Sequence, residues 1–499
     1  MKKAVSVVAG VVVVIGALAT AGAWYTGTQL EGVLNNGVAN ANQQFATSMV
    51  GPDGKPILHL ELLSLERHLF SSTAHYRLQV HGKAVNEDGT PSELLFVDHI
   101  EHGPLPASRL KAFKLLPVMA TSNVELEPSP VTAQWFAASN NEAPLNAHIS
   151  IHYGGDTTGT LNFAPLDLKM PTGTLAFSGL TADVSSGADA ERYAVVGSSA
   201  NLQLQGSDGQ GQPVQVEFKD LSFNLGGTRG ASGFYLGHND AKVGHVAMSL
   251  PGLFPVDLQG MTTTSLTQEV QGVLSGEMTY DIDSISLGGK PLGQLRTLFK
   301  FGQFDAAASK SLYQLFQTKV APQQQAAAAA GIPFKLQLSE ADQLTMKTDA
   351  TRLLNGKPHM ELQNLSLKTP NGLGRISLAV DLAPVPLSGS VVAPTFGTNV
   401  LGAVDAKVSL SKAMLNDLGV VQANIQGITD PAAIAQNGQN ISDMVSGMAV
   451  MMQLGKVEGD NVTSQLHYEG GMVDFNGQRM TGSQFLGTVL GRVGITPQQ

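Results

Sequence analysis

Histidine is the residue type whose spacing could do chemistry in this chain. Six of the twelve histidines fall between His59 and His102, and the run Asp98-His99-Ile100-Glu101-His102 mixes imidazoles with carboxylates. Such a set offers acid–base groups that titrate near neutral pH. If its ligands converged at about 2.0–2.2 Å it could hold zinc, with His99, Glu101 and His102 as candidates. Convergence is difficult in either local structure. On a strand, His99 and His102 point to opposite faces, and the helix that would bring them together is cut short by Gly103-Pro104. Asp281 and Asp283 share a strand face, where an isolated D-x-D pair is ordinarily solvated. The G-x-S-x-G elbow, the Walker A loop, H-E-x-x-H and G-x-G-x-x-G do not occur in the sequence. With no cysteine there is no thiolate metal site, nucleophile or disulfide framework. No cofactor is implied.

The elements that would position these residues are foreshadowed in the composition. The chain has 499 residues, of which 14% are charged and 42% hydrophobic, with 55 glycines and a net charge of −10. That is too apolar for a disordered chain and too acidic for a nucleic-acid binder. The apolar content is uneven. Lys2 and Lys3 precede an uncharged run from Ala4 to Trp24, followed by Tyr25. As a helix it would span about 31 Å, enough to cross a bilayer core of roughly 30 Å. The lysines place the N-terminus in the cytoplasm, and Trp24-Tyr25 suits the opposite interface. Ala17-Leu18-Ala19 and Ala21-Gly22-Ala23 also fit a cleaved signal peptide. Both readings export the remainder of the chain.

Beyond the anchor, alternation of period two dominates, as in Tyr76, Leu78 and Val80, or Ile376, Leu378, Val380 and Leu382. This is the pattern of antiparallel strands with one wet face. Five times the alternation changes register across a small or polar pair: Ser178-Gly179, Lys219-Asp220, Gln259-Gly260, Asp283-Ser284 and Gln363-Asn364. An extra residue reverses the faces unless a bulge absorbs it. Each pair is therefore read as a bulge in one long strand or as a corner between two short ones.

Helical spacing interrupts the strands. Leu30, Leu34, Val38 and Phe45 continue a helix past the anchor, and Pro106–Met119 is a short basic segment. Pro291–Val320 places Leu295, Leu298, Phe299, Leu312, Leu315, Phe316 and Val320 at helical intervals. Asp430-Pro431 is an N-cap with proline at the first helical position. Behind it, Ile441, Met444, Met448, Met451 and Met452 form an apolar stripe, expected to be the buried face of a helix lying on a sheet. The resulting organisation is an anchor over 1–25, a helical extension over 26–50, β-rich parts over 51–290 and 331–499, and a helical insertion over 291–330. The expected fold class is mainly β (α+β): a transmembrane helix, then an extended, bent antiparallel sheet with interspersed helices.

Several blocks resemble the YdgA-like proteins of proteobacteria, an envelope family of unknown function. They are Ala23-Trp24-Tyr25-Thr26-Gly27, Leu69-Phe70-Ser71-Ser72, and Glu101-His102-Gly103-Pro104 with Pro106 and Leu116-Pro117-Val118-Met119-Ala120. Near the C-terminus, Gly470-Gly471-Met472 and Asn476-Gly477-Gln478-Arg479-Met480 are similar to the family's closing hairpin and helix. Glu101 stands where the family pattern has aspartate. The resemblance implies residence in a Gram-negative envelope and supplies no reaction.

The leading reading is a non-enzymatic, single-pass inner-membrane protein that projects a binding or scaffold module into the periplasm. The alternative is a carrier of lipid or another hydrophobic ligand in an apolar sheet groove, and an envelope hydrolase or metal-binding protein comes after it. The partners expected are the inner membrane, lipid or another envelope protein, or a second copy of the chain, and not nucleic acid.

Overall fold

The computed structural model describes residues 30–48, 56–81, 91–170, 173–383 and 400–492. The segment carrying Lys2, Lys3, Trp24 and Tyr25 lies outside the described residues. Among those described, no helix is long and apolar enough to cross a membrane. The chain divides into two compact units. The first is Met1–Leu204 with Asp220–Tyr235 and Tyr313–Leu338; the second is Gln205–Lys219 with Leu236–Leu312 and Ser339–Gln499. Both are built mainly from antiparallel strands.

In the first unit, helix α1 (Leu30–Ser48) precedes a meander of β1 (Leu58–Arg67), β2 (Ser71–Val80), β3 (Ser92–His102), β4 (Ala120–Leu126), β5 (Leu145–Ile151) and β6 (Thr157–Phe163). The hairpin β7 (Leu166–Met170) and β8 (Gly173–Phe177) follows. Then β9 (Leu180–Ser186) pairs with β6, and β10 (Arg192–Ser207) with β9. Strands β1 through β6 pair antiparallel in sequence, ending at the β5–β6 pair. Period-two alternation sends Tyr76, Leu78, Leu94, Phe96, Ile149 and Leu161 into one core, and α1 closes it with Leu30, Leu34, Ala41 and Phe45. Full burial of such side chains contributes about 1.5–3 kcal/mol each. Asn42 fixes α1 on β1, donating from Nδ2 to the Leu60 carbonyl and accepting from the Leu60 amide, both at 2.8 Å. Short helices α2 (Ala107–Lys111) and α3 (Ala133–Ala138) fill the β3–β4 and β4–β5 connections.

Strand β11 (Pro213–Arg229) is followed in the second unit by β12 (Tyr235–Ser249), β13 (Val256–Val270), β14 (Val273–Leu287) and β15 (Lys290–Asp305). Helices α4 (Ala306–Leu315), α5 (Ala321–Ala330) and α6 (Glu340–Asn355) intervene before β16 (His359–Lys368), β17 (Leu373–Leu382) and β18 (Leu401–Ser411). Helices α7 (Lys412–Ile425) and α8 (Pro431–Met451), strands β19 (Lys456–Glu458), β20 (Asn461–Glu469), β21 (Met472–Phe475) and β22 (Gln478–Thr481), and helix α9 (Gly482–Arg492) complete the chain. Strands β12 to β18 pair in sequence, β18 pairs with β20, and β20 with β21, all antiparallel.

Four of the five register changes lie within single strands. Asp220 and Gly260 take positive φ of 54° and 63° inside β11 and β13. In β14 and β16 the ladders shift between Ile282 and Ile285 and between Leu362 and Leu365. Gly260 is required twice over, because a Cβ there would also lie 2.4 Å from Asp283 Oδ2 on the facing strand. At Ser178-Gly179 the chain instead breaks into β8 and β9.

Two expectations are corrected. Residues 291–305, assigned to the helical insertion over 291–330, are strand β15. Leu295, Thr297, Phe299 and Phe301 alternate along it against Leu367, Leu365, Leu362 and Met360 of β16, and this pairing overrides the helical spacing. The methionine stripe of α8 is not its buried face. Met444, Met448 and Met451 are exposed, whereas Gly438, Ser442 and Ser446 are buried. Small residues win the interface because α7 and α8 pack backbone to backbone, and a Cβ on Gly419 would lie 2.8 Å from the Gly438 Cα. Asp430 caps α8 as expected, accepting from the amides of Ala432 and Ala433.

Candidate functional site

The histidine–carboxylate run occupies the end of β3. Alternation places Asp98 and Ile100 in the core and leaves His99 exposed. His99 pairs with Thr73 and Asn123, while His102 Nε2 lies 3.0 Å from Ser72 Oγ. Glu101 faces α2 and accepts from the Ser108 amide at 2.9 Å, the Ser108 hydroxyl at 2.5 Å and the Thr121 hydroxyl at 3.4 Å. Burial opposes ionisation of Glu101, but these hydrogen bonds and the charge of Lys111 outweigh it and hold the carboxyl below its ordinary range. The three candidate ligands therefore turn to different partners. Glu101 fastens the first turn of α2 to the sheet.

The same connection is tied at every step. The Gly103 amide donates to the Met119 carbonyl, the Val118 amide to the Pro104 carbonyl, and the His102 amide to the Phe70 carbonyl. Gly103 admits no side chain, since a Cβ would fall 1.9 Å from the Val118 carbonyl oxygen. Buried Arg109 donates to Ser150 Oγ at 3.2 Å and to the Leu116 carbonyl at 3.1 Å. Deeper in the core, Asp98 is buried and accepts from Ser122 Oγ at 2.8 Å. Burial drives its carboxyl up to about 7 against the pull of that hydroxyl and the Asn123 amide. The Tyr76 phenol, buried with no hydrogen-bond partner among the described residues, is raised well above its usual value by burial and then by Asp98.

The second unit carries a different kind of surface. Following partners across the ladders, Met261, Ile282, Leu295, Leu367, Gly374, Leu410 and Val462 form one row. Two steps along the strands, Ser265, Met278, Phe299, Leu362, Leu378, Ala406 and Leu466 form another. The rows beside them add Tyr280, Leu365, Ile376 and Val408, and then Phe301, Met360, Val380 and Val404. No Asp, Glu, His, Lys or Arg stands in these four rows. The opposite face is charged: Arg296 bridges Asp281 at 3.2 Å and Asp283 at 2.6 Å, His359 meets Asp381 at 2.6 Å, and His467 meets Asp405 at 2.9 Å. The hydrogen bond to Asp405 raises the His467 pKa. These His–Asp pairs sit 22 and 62 residues apart in sequence, so only the strand register reveals them.

Among the described residues, cover over the apolar face comes from α7, which packs on β15, β17 and β18, and from the C-terminal hairpin and helix. Met414 and Leu415 of α7 pack with Leu410 and Val462, and Phe475 and Phe485 close over Val404, Leu466 and Tyr468. Over β14 and β17, Met278 remains 46% exposed, Ile376 38% and Leu378 39%.

A family model described as a bacterial protein of unknown function, DUF945, matches residues 1–482. The chain belongs to the DUF945 family. It is 24% identical over 489 residues to Protein YdgA of Escherichia coli (strain K12), covering 96% of this chain and 95% of that protein. An uncharacterized protein of the same organism, YihF, is 22% identical over 492 residues, covering 96% and 97%. An uncharacterized protein of Haemophilus influenzae is 22% identical over 325 residues, covering 63% of this chain and 86% of its own. No solved structure matches. The blocks that carried the YdgA-like resemblance thus belong to a DUF945 member, and the fold brings the Leu69–Ser72 and Glu101–Pro104 blocks together. Ser71 pairs with Glu101, and Leu116–Ala120 lies against Gly103-Pro104.

Proposed function

We propose that this DUF945 chain is a non-enzymatic, single-pass inner-membrane protein whose second unit holds acyl chains on its open apolar face in the periplasm. The observation that carries the reading is the set of uncharged rows over β13–β18, with Met278, Ile376 and Leu378 exposed in their middle. Six strands at about 4.8 Å spacing make the face about 24 Å wide. That exceeds the roughly 15 Å that an acyl chain spans in one leaflet of a 30 Å core. Leaving so large an apolar surface in water is costly at about 25 cal/mol per Å², and patches of this kind mark ligand, membrane or protein contacts. A compact scaffold would cover the whole face with helices, whereas α7 packs on β15, β17 and β18 and leaves Met278, Ile376 and Leu378 exposed. Lys2, Lys3 and the Ala4–Trp24 run support the anchor and its orientation.

Mass spectrometry of lipids extracted from the purified full chain tests the reading. Stoichiometric phospholipid or lipoprotein-type acyl species are expected, falling at least threefold in Leu378→Lys with the fold intact. A folded, lipid-free chain would contradict it.

A further inference from the structure

The end of the first unit that holds the β1–β2 turn and the β3–β4 connection exposes large apolar side chains together. Leu69 is 82% exposed, Phe70 76%, Phe113 88%, Leu115 67% and Leu116 78%. These residues do not belong to a loose loop. The Phe70 carbonyl accepts from the His102 amide, the Leu116 carbonyl is held by buried Arg109, and the Lys114 amide donates to the Arg109 carbonyl. The backbone is fixed while the side chains point outward.

The charge along the β3–β4 connection is equally unequal. The chain as a whole carries −10, yet residues 102–124 contain no Asp or Glu. Lys111 and Lys114 stand exposed on the turn that presents Phe113. Rigid apolar tips flanked by lysines match the interface of an anionic bilayer, where rings and aliphatic chains enter the acyl boundary and ammonium groups stay with the headgroups.

The course of the chain points the same way. Asn42 of α1 lies against Leu60 near the start of β1, and Glu31 pairs with Arg67 at its end, 2.5 Å away. Helix α1 therefore runs antiparallel to β1 and begins at the end of the unit that holds Leu69 and Phe70. Leu30 lies six residue steps from Trp24, which reach at most about 22 Å when fully extended.

From these three observations we propose that this tip is a membrane-docking surface, with Phe70, Phe113 and Leu116 inserted into the interface of the bilayer and Lys111 and Lys114 on anionic headgroups. The docking rests on the anchored reading given above. It makes the first unit lie against the membrane at a fixed face, where an anchor alone would leave it tethered.

The absence of native cysteine makes the test direct. Full-length Phe113→Cys and Leu116→Cys chains, each carrying an environment-sensitive fluorophore, are reconstituted into phosphatidylethanolamine–phosphatidylglycerol vesicles that contain brominated lipid. Glu142→Cys, exposed at the other end of the same sheet, is the reference. A blue shift and at least threefold stronger bromine quenching at 113 and 116 than at 142 are expected. The quenching should weaken in Lys111→Glu/Lys114→Glu and in vesicles lacking the anionic lipid. Probes as wet at 113 and 116 as at 142, in chains that float with the vesicles, would overturn the docking and leave the anchor standing. Failure to float would overturn both. A blue shift that persists in detergent without bromine quenching would assign the tip to a protein partner or a second copy, and would also overturn the proposal.

Discussion

At the residue scale, Asp98 makes the sharpest prediction. Its carboxyl rises from 3.8 to about 7 on folding, so the folded state prefers the protonated form. The stability this group contributes is complete below its unfolded pKa and is lost as pH rises through the folded one, between about pH 4 and pH 7. Asp98→Asn keeps the shape and a partner for Ser122 while removing the charge. It should stabilise the protein at pH 8 by up to about 4 kcal/mol, with little effect at pH 4, as read by denaturant unfolding at both pH values. Equal effects at both would mean that folding does not raise the Asp98 carboxyl. Glu101 has the opposite sign, because its ionised form caps α2. Glu101→Gln should cost about 1–2 kcal/mol at pH 7 and much less near pH 3. The sequence drew attention to this run as a weak metal candidate, and the fold turns its three residues to different partners. Alternation along β3 made the divergence of His99 and His102 readable, whereas the Ser108 and Thr121 contacts of Glu101 depend on a connection whose path no local pattern records.

At the scale of elements, the contrast between the two faces of α8 decides its partner. Gly419→Val should destabilise the second unit by about 3 kcal/mol or more, because the added methyls meet the Gly438 backbone and Ile441. Met448→Lys should stay within about 0.5 kcal/mol, since that side chain is 46% exposed. Thermal unfolding of the two variants checks the pair, and the reverse order would restore the buried methionine stripe. Hydropathy favoured that stripe because periodicity counts apolar residues and cannot weigh how closely two backbones approach. Pro291–Asp305 shows the same limit. Leu295, Leu298 and Phe299 fit a helix, but Leu295, Thr297, Phe299 and Phe301 fit a strand equally well, and the facing ladder of β16 chose the strand. The register changes were legible because a flip in alternation is a local signal; which of them would be bulges and which a break was not.

At the scale of the whole molecule, the chain is built mainly from long antiparallel strands, and in the second unit their two faces differ, one carrying uncharged rows and the other ion pairs. Neighbouring residues of β17 separate the two faces: Ile376 and Leu378 stand in the apolar rows, while Arg375 and Ser377 face the charged side. A photoreactive benzoylphenylalanine placed at 378 or at 377 in the full chain, irradiated in intact cells, therefore measures occupancy of the apolar face directly. Lipid adducts at 378 and none at 377 are the predicted result. Lipid at neither position, or equal labelling at both, would contradict an acyl-binding face.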